Sequence, residues 1–117
     1  DVAAARGFVH WAAGRPAGVN FPMASSPAIA QLDAWLPAIG AIRSMDVTLA
    51  FAAWPRGWQR GAAAWLSRRA EGGFTREVAS HFLFLAQRLG GPLALEAGTA
   101  EFPPGDGAET AITARLR

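Results

Sequence analysis

A chain of 117 residues, 51% of them apolar and 17% charged, has the size and composition of one globular domain and is too apolar to be intrinsically disordered. It contains no cysteine and no lysine, which excludes disulfides, thiolate chemistry, cysteine–zinc sites and Schiff-base catalysis by its own residues. The pI near 11 reflects arginines that do not titrate, whereas a formal net charge of +2 is too small for a strong steering field and argues against a dedicated nucleic-acid binder.

Residues 1–13 are alanine-rich, and Val2, Phe8, Val9 and Trp11 predict a helix that Gly14 and Pro16 end. No n-region of a signal peptide is present there, and the missing methionine suggests a processed chain or a fragment. "AGVNFP" reads as a short apolar strand closed by Pro22. "SSPAIAQLDAWLPAIG" opens a helix, with Ser26 as N-cap and Pro27 at the first helical position. Ile29, Leu32, Leu36 and Ile39 keep helical spacing until Pro37 and Gly40 weaken and end it.

The period then changes. In "IRSMDVTLAFA", Met45, Val47, Leu49 and Phe51 fall on one face and Ser44, Asp46 and Thr48 on the other, which predicts a long, half-buried strand. "WPRGWQRG" is a loop and "AAAWLSRRA" a short helix. A second long helix runs from about Thr75 to Leu89 within "EGGFTREVASHFLFLAQRLGG". "PLALEAGTAEF" and "AETAITARL" are strands joined by the turn formers of "PPGDG". In the last strand Thr110, Ile112, Ala114 and Leu116 alternate with Glu109, Thr113 and Arg115. The order predicts an α+β domain: an open, largely antiparallel sheet with helices packed on one face. No run of about 18 apolar residues exists to span a membrane.

The second long helix carries Glu77 and His81, four residues apart and so on one face. A carboxylate there can orient an imidazole and suit it to acid–base work near neutral pH. The same spacing also describes an ordinary surface pair worth roughly 0.2–0.5 kcal/mol. Two ligands are too few for a metal site, and neither Asp46 nor His10 can be placed beside them from sequence. Around "WPRGWQRGAAAWLSRR", Trp54, Trp58 and Trp65 alternate with Arg56, Arg60, Arg68 and Arg69. Such residues stack on sugar rings or bases and hold carboxylates or phosphates. They equally anchor a loop on a core with arginines reaching to solvent. "GG" at 72–73 has no GxGxxG spacing, so no phosphate loop is expected.

"VNFPMASSPAIAQLDAWLPAIGAIRSMDVTLAF" followed by "EGGFTREVASHFLFLAQRLGGP" resembles the C-terminal substrate domain of the glucose–fructose oxidoreductase/inositol dehydrogenase (Gfo/Idh/MocA) family. The likeness runs from about residue 16 to the end and rests on the order of elements and on the Gly-Gly helix with its acid-x-x-x-His motif. It implies a substrate and oligomerisation half, 1–117, of a two-domain NAD(P)-dependent dehydrogenase, with 1–15 as the tail of a nucleotide-binding domain. His81 matches the family's catalytic histidine and Glu77 its preceding acid, where the family usually has Asp. Asn20 matches a polar position at the domain junction. Arg76, Trp54 and Arg56 complete the expected substrate contacts. The expected substrate is a sugar-like or polyol hydroxyl and the cofactor NAD or NADP, bound by the other domain, so this chain alone is inactive. A cytoplasmic homodimer through the open sheet face is expected, without nucleic-acid or membrane partners. A non-enzymatic assembly or ligand-binding module of the same fold, or an Arg/Trp-based RNA binder, remains open on the residues alone.

Overall fold

The computed structural model describes residues 2–117. Helix α1, Val2–Ala12, buries none of its residues, and Phe8 and Trp11 meet each other with ring centroids 5.7 Å apart. Arg15 folds back, its guanidinium over the Trp11 ring and donating to the Trp11 carbonyl. The strand expected at "AGVNFP" does not form. Pro16, Gly18 and Pro22 interrupt it, and no neighbouring strand supplies a ladder.

A 3-10 turn, Pro22–Ser25, leads into α2, Pro27–Ile39. The Ser26 hydroxyl accepts from the Ile29 amide at 3.4 Å, as the N-cap pattern predicts. Pro37 lies inside α2 and removes the bond its N–H would donate to the Asp33 carbonyl, and the helix continues only two residues beyond it, to Ile39. Gly40, at φ +91°, then closes the helix.

The strand expected at 42–51 does not form: these residues belong to no helix or sheet, and 41–55 make no backbone–backbone hydrogen bond among the described residues. Alternation alone does not make a strand; it also needs a neighbour to pair with, and no ladder bond reaches this segment among the described residues. The loop at 54–61 tightens into a 3-10 helix, Gly57–Ala62, that runs into α3, Ala63–Leu66. After the Gly-Gly turn the chain enters a π turn, Thr75–Ala79, continuous with α4, Ser80–Gly90. β1, Leu95–Glu101, and β2, Ala111–Leu116, pair antiparallel in register Thr99 to Thr113, with an irregularity between Leu95 and Ala97. The fold is thus α+β, with four helices and an open two-stranded antiparallel sheet among the described residues.

The centre of packing is Leu66, 1% exposed. Its carbonyl accepts from the Gly73 amide at 2.8 Å and from Trp54 Nε1 at 3.1 Å. Phe51, Trp54 and Phe74 form a ring cluster there, with centroids 5.8–6.3 Å apart. The hairpin attaches at its turn end. Ala108 N donates to Ser67 O and Arg69 N to Asp106 O, both at 2.7 Å, and the Arg69 guanidinium lies 4.0 Å from the Phe102 centroid. At the other side, Arg88 of α4 donates to Ala24 O and pairs with Asp33 of α2, each at 2.7 Å.

Much apolar surface stays open. The accessible area is 8963 Å² for a 12.3 kDa chain, where a compact monomer of that mass shows about 6,100 Å². The radius of gyration, 16.4 Å, exceeds the roughly 13 Å of a compact chain of this length. No helix among the described residues is long and apolar enough to cross a membrane.

Candidate functional site around the Gly-Gly helix

The entrance to the π turn and α4 is built from tight backbone contacts. A Cβ on Gly72 would stand 2.3 Å from the carbonyl oxygens of Leu66 and Trp65, and one on Gly73 within 2.2–2.6 Å of both Glu109 carboxylate oxygens. Gly73 also has φ +96°, where side chains are strained. Only glycines fit both positions. The space at Gly73 is filled by Glu109, 8% exposed, whose Oε1 accepts from the Thr75 amide at 2.7 Å. A negative charge there satisfies an otherwise free N–H and complements the helix dipole. Glu109 was expected on the polar face of a strand. The structure instead turns it inward, one residue after Ala108 is pinned to Ser67. That carboxylate occupies the position at the Gly-Gly turn where a helix-entry anion would sit.

The π turn widens the helix where Glu77 projects; such turns occur frequently at functional sites. Glu77 is half-buried, and its Oε1 accepts from Gln59 Nε2 at 3.3 Å. Gln59, 4% exposed, in turn accepts through Oε1 from both N and Nε of Arg56 at 3.2 Å. The Arg56 guanidinium lies among three rings, 4.7 Å from Trp58, 5.4 Å from Phe51 and 5.8 Å from Trp54. A buried amide therefore couples a carboxylate on one segment to a guanidinium on another, and aromatic faces favour that cation.

His81 stands elsewhere on the helix surface. Its ring meets Phe21 edge-on, centroids 5.0 Å apart at 87°, and Phe21 stacks on Phe84 at 4.5 Å. No hydrogen bond or ion pair joins it to Glu77 among the described residues. The expected pair therefore divides: Glu77 reaches toward Gln59, and His81 packs against the segment that carries Asn20. Asn20 is exposed beside Phe21. Arg76 is exposed, its Nη1 donating to the Ala70 carbonyl at 2.6 Å.

Trp54, Arg56 and Glu77 thus form one cluster, Asn20 and His81 flank Phe21, and Arg76 braces a loop. Sequence reading missed Gln59, Glu109 and Phe21. Gln59 carried a partial signal, standing three residues after the residue that caps the 3-10 helix, where a side chain can reach back. Glu109 and Phe21 carried none, since their partners lie far away in sequence. No group of three or more His, Cys, Asp or Glu able to hold a metal occurs among the described residues. No family model, curated protein or solved structure matches the chain.

Proposed function

We propose that this chain is the substrate-binding and assembly half of an NAD(P)-dependent oxidoreductase of the Gfo/Idh/MocA class, acting on a sugar-like or polyol hydroxyl. The observation that supports the reading most is the Gly-Gly-entered helix. It carries a half-exposed imidazole at His81 and, one turn earlier, a carboxylate tied through Gln59 to Arg56. In this reading the nicotinamide is held by a separate nucleotide-binding domain, and the Gly-Gly turn of this chain, occupied by Glu109, takes no part in binding it. This chain's residues bind the substrate and handle its proton. His81 accepts the hydroxyl proton at about 2.6–3.2 Å or through one water. Phe21 orients the ring by edge contact, in place of a hydrogen-bonded carboxylate. Glu77, Arg56 and Trp54 offer acceptor, donor and stacking surface to the hydroxyls of a polyol.

The test is steady-state kinetics on the chain joined to its nucleotide-binding domain. His81→Ala lowers kcat by about 10²–10⁴ and leaves nucleotide affinity nearly unchanged. Glu77→Gln costs less, since it positions substrate and transfers no proton. Wild-type kcat in His81→Ala refutes the catalytic role. A second reading, a non-enzymatic assembly module, draws support from the internal engagement of Glu77 by Gln59. A full gene without GxGxxG and Glu-Lys-Pro motifs favours it.

A further inference from the structure

Arg56 is anchored differently from Arg15, Arg76 and Arg88. Each of those three spends a terminal guanidinium nitrogen on a backbone carbonyl, and Arg88 adds the Asp33 carboxylate. Arg56 is held from behind: its Nε donates to Gln59 Oε1 at 3.2 Å, and Gln59 is only 4% exposed. Its Nη1 and Nη2 make no hydrogen bond or ion pair among the described residues. The carboxylate of the cluster, Glu77, is engaged by Gln59 Nε2 at 3.3 Å. Gln59 thus accepts from the guanidinium and donates to the carboxylate, and the two charges do not neutralise each other by direct contact.

A guanidinium half-buried among Phe51, Trp54 and Trp58 has lost part of its water, and ring faces make up only part of that loss. The charge that remains has a direction. With Nε taken, the open fork is the Nη1–Nη2 end, whose parallel N–H groups match the two oxygens of a carboxylate. The buried Gln59 amide fixes that end in advance, so little freedom is lost when an anion docks.

Trp58 supplies a second element. It is 74% exposed, although its ring lies only 4.7 Å from the guanidinium. A large flat apolar surface therefore stands in solvent next to an unpaired cation. Trp54 is less free for this role, because its Nε1 is spent on the Leu66 carbonyl and its ring packs on Phe51 and Phe74. A ligand that uses both Arg56 and Trp58 carries a carboxylate on a ring.

We propose that Arg56 and Trp58 bind a sugar acid, its carboxylate on Nη1 and Nη2 and the C–H face of its ring on Trp58. The proposal rests on the reading of this cluster as a substrate site, and it narrows the substrate from a neutral polyol to an acidic one.

The test is binding to the purified chain, without cofactor, read by tryptophan fluorescence at fixed ionic strength. Glucuronate is expected to bind about 10–100-fold more tightly than glucose, the range for hydrogen bonds to a charged group. Acetate and sulfate, which lack the ring, are expected to bind more weakly than glucuronate. Arg56→Gln abolishes the preference for glucuronate over glucose. Trp58→Ala, at an exposed position, keeps the wild-type melting temperature and weakens glucuronate about 2–10-fold. Equal binding of glucuronate and glucose, or binding of neither, overturns the proposal. Acetate or sulfate binding as tightly as glucuronate overturns it too, since the site is then a general anion site. A folded Arg56→Gln that keeps the preference has the same force; if that variant unfolds, unchanged glucuronate affinity in Trp58→Ala overturns the proposal instead. The two readings fail separately. Wild-type kcat in His81→Ala removes the oxidation chemistry and leaves the acid site, whereas loss of the glucuronate preference removes the acid site and leaves a neutral polyol for His81.

Discussion

At the residue scale, the most constrained positions are not the polar ones that first draw the eye. Gly73 combines φ +96° with a carboxylate where its Cβ would be. Gly73→Ala is expected to cost on the order of 1–3 kcal/mol from backbone strain alone, and more if Glu109 is displaced from the Thr75 amide. Urea unfolding reads this as a lower midpoint. Glu109→Ala removes the cap without the strain and should cost about 0.5–2 kcal/mol, the usual range for a lost N-cap. Equal effects of the two substitutions would show that the carboxylate, and not the backbone, dominates. His81 is bounded differently. Packed edge-on to Phe21 and joined by no side-chain hydrogen bond or ion pair among the described residues, it is expected to contribute little to stability. The His81→Ala kinetics proposed above therefore report chemistry with little interference from unfolding.

At the element scale, α2 and α4 are held by contacts of unequal strength. Ser26→Ala removes a part-buried N-cap and should destabilise by about 1 kcal/mol. The Arg88–Asp33 pair has shorter geometry, 2.7 Å, but its side chains are 43% and 36% exposed. Solvent screens it, so Asp33→Ala should cost at most about 1 kcal/mol, and less in high salt. Arg88→Ala should cost more than Asp33→Ala, because Arg88 also donates to the Ala24 carbonyl. Thermal melts at low and high ionic strength separate the two: the Asp33 effect shrinks with salt, and the Arg88 excess persists. The hairpin illustrates the same ranking. Backbone bonds from Ala108 to Ser67 and from Arg69 to Asp106 anchor its turn end. Its strands, all exposed, leave the side facing α4 open.

At the scale of the whole molecule, the open groove and the closed Gly-Gly turn decide what the chain can bind unaided. Calorimetry with NAD and with NADP is expected to show no heat, since the glycine turn that could have faced a phosphate is filled by Glu109. Micromolar binding would overturn this and the two-domain reading with it. Two of the four arginines near the tryptophans are similarly engaged: Arg56 by Gln59 and three rings, Arg69 by Phe102. Random single-stranded RNA should therefore bind weakly, without the steep loss of affinity with salt that marks phosphate contacts.

Local signals were legible in the sequence wherever the physics is local. The Ser26 cap, the helices at 27–39 and 80–90, and the hairpin turn follow from spacing, capping and turn residues within a few positions of one another. The α+β class followed from their order. Alternation likewise pointed to a strand at 42–51, yet whether such a segment joins a sheet depends on a neighbour that its own residues do not encode. The same limit governs the candidate site. Glu77 and His81 share a helix, but Gln59, 18 residues from Glu77, takes the carboxylate, and Phe21, 60 residues from His81, takes the imidazole. Glu109 reaches Thr75 across 34 residues. Sequence by itself determined which segments are helical and which side chains could do chemistry. Tertiary structure alone decided which of them meet, because contacts across long loops depend on how the whole chain closes.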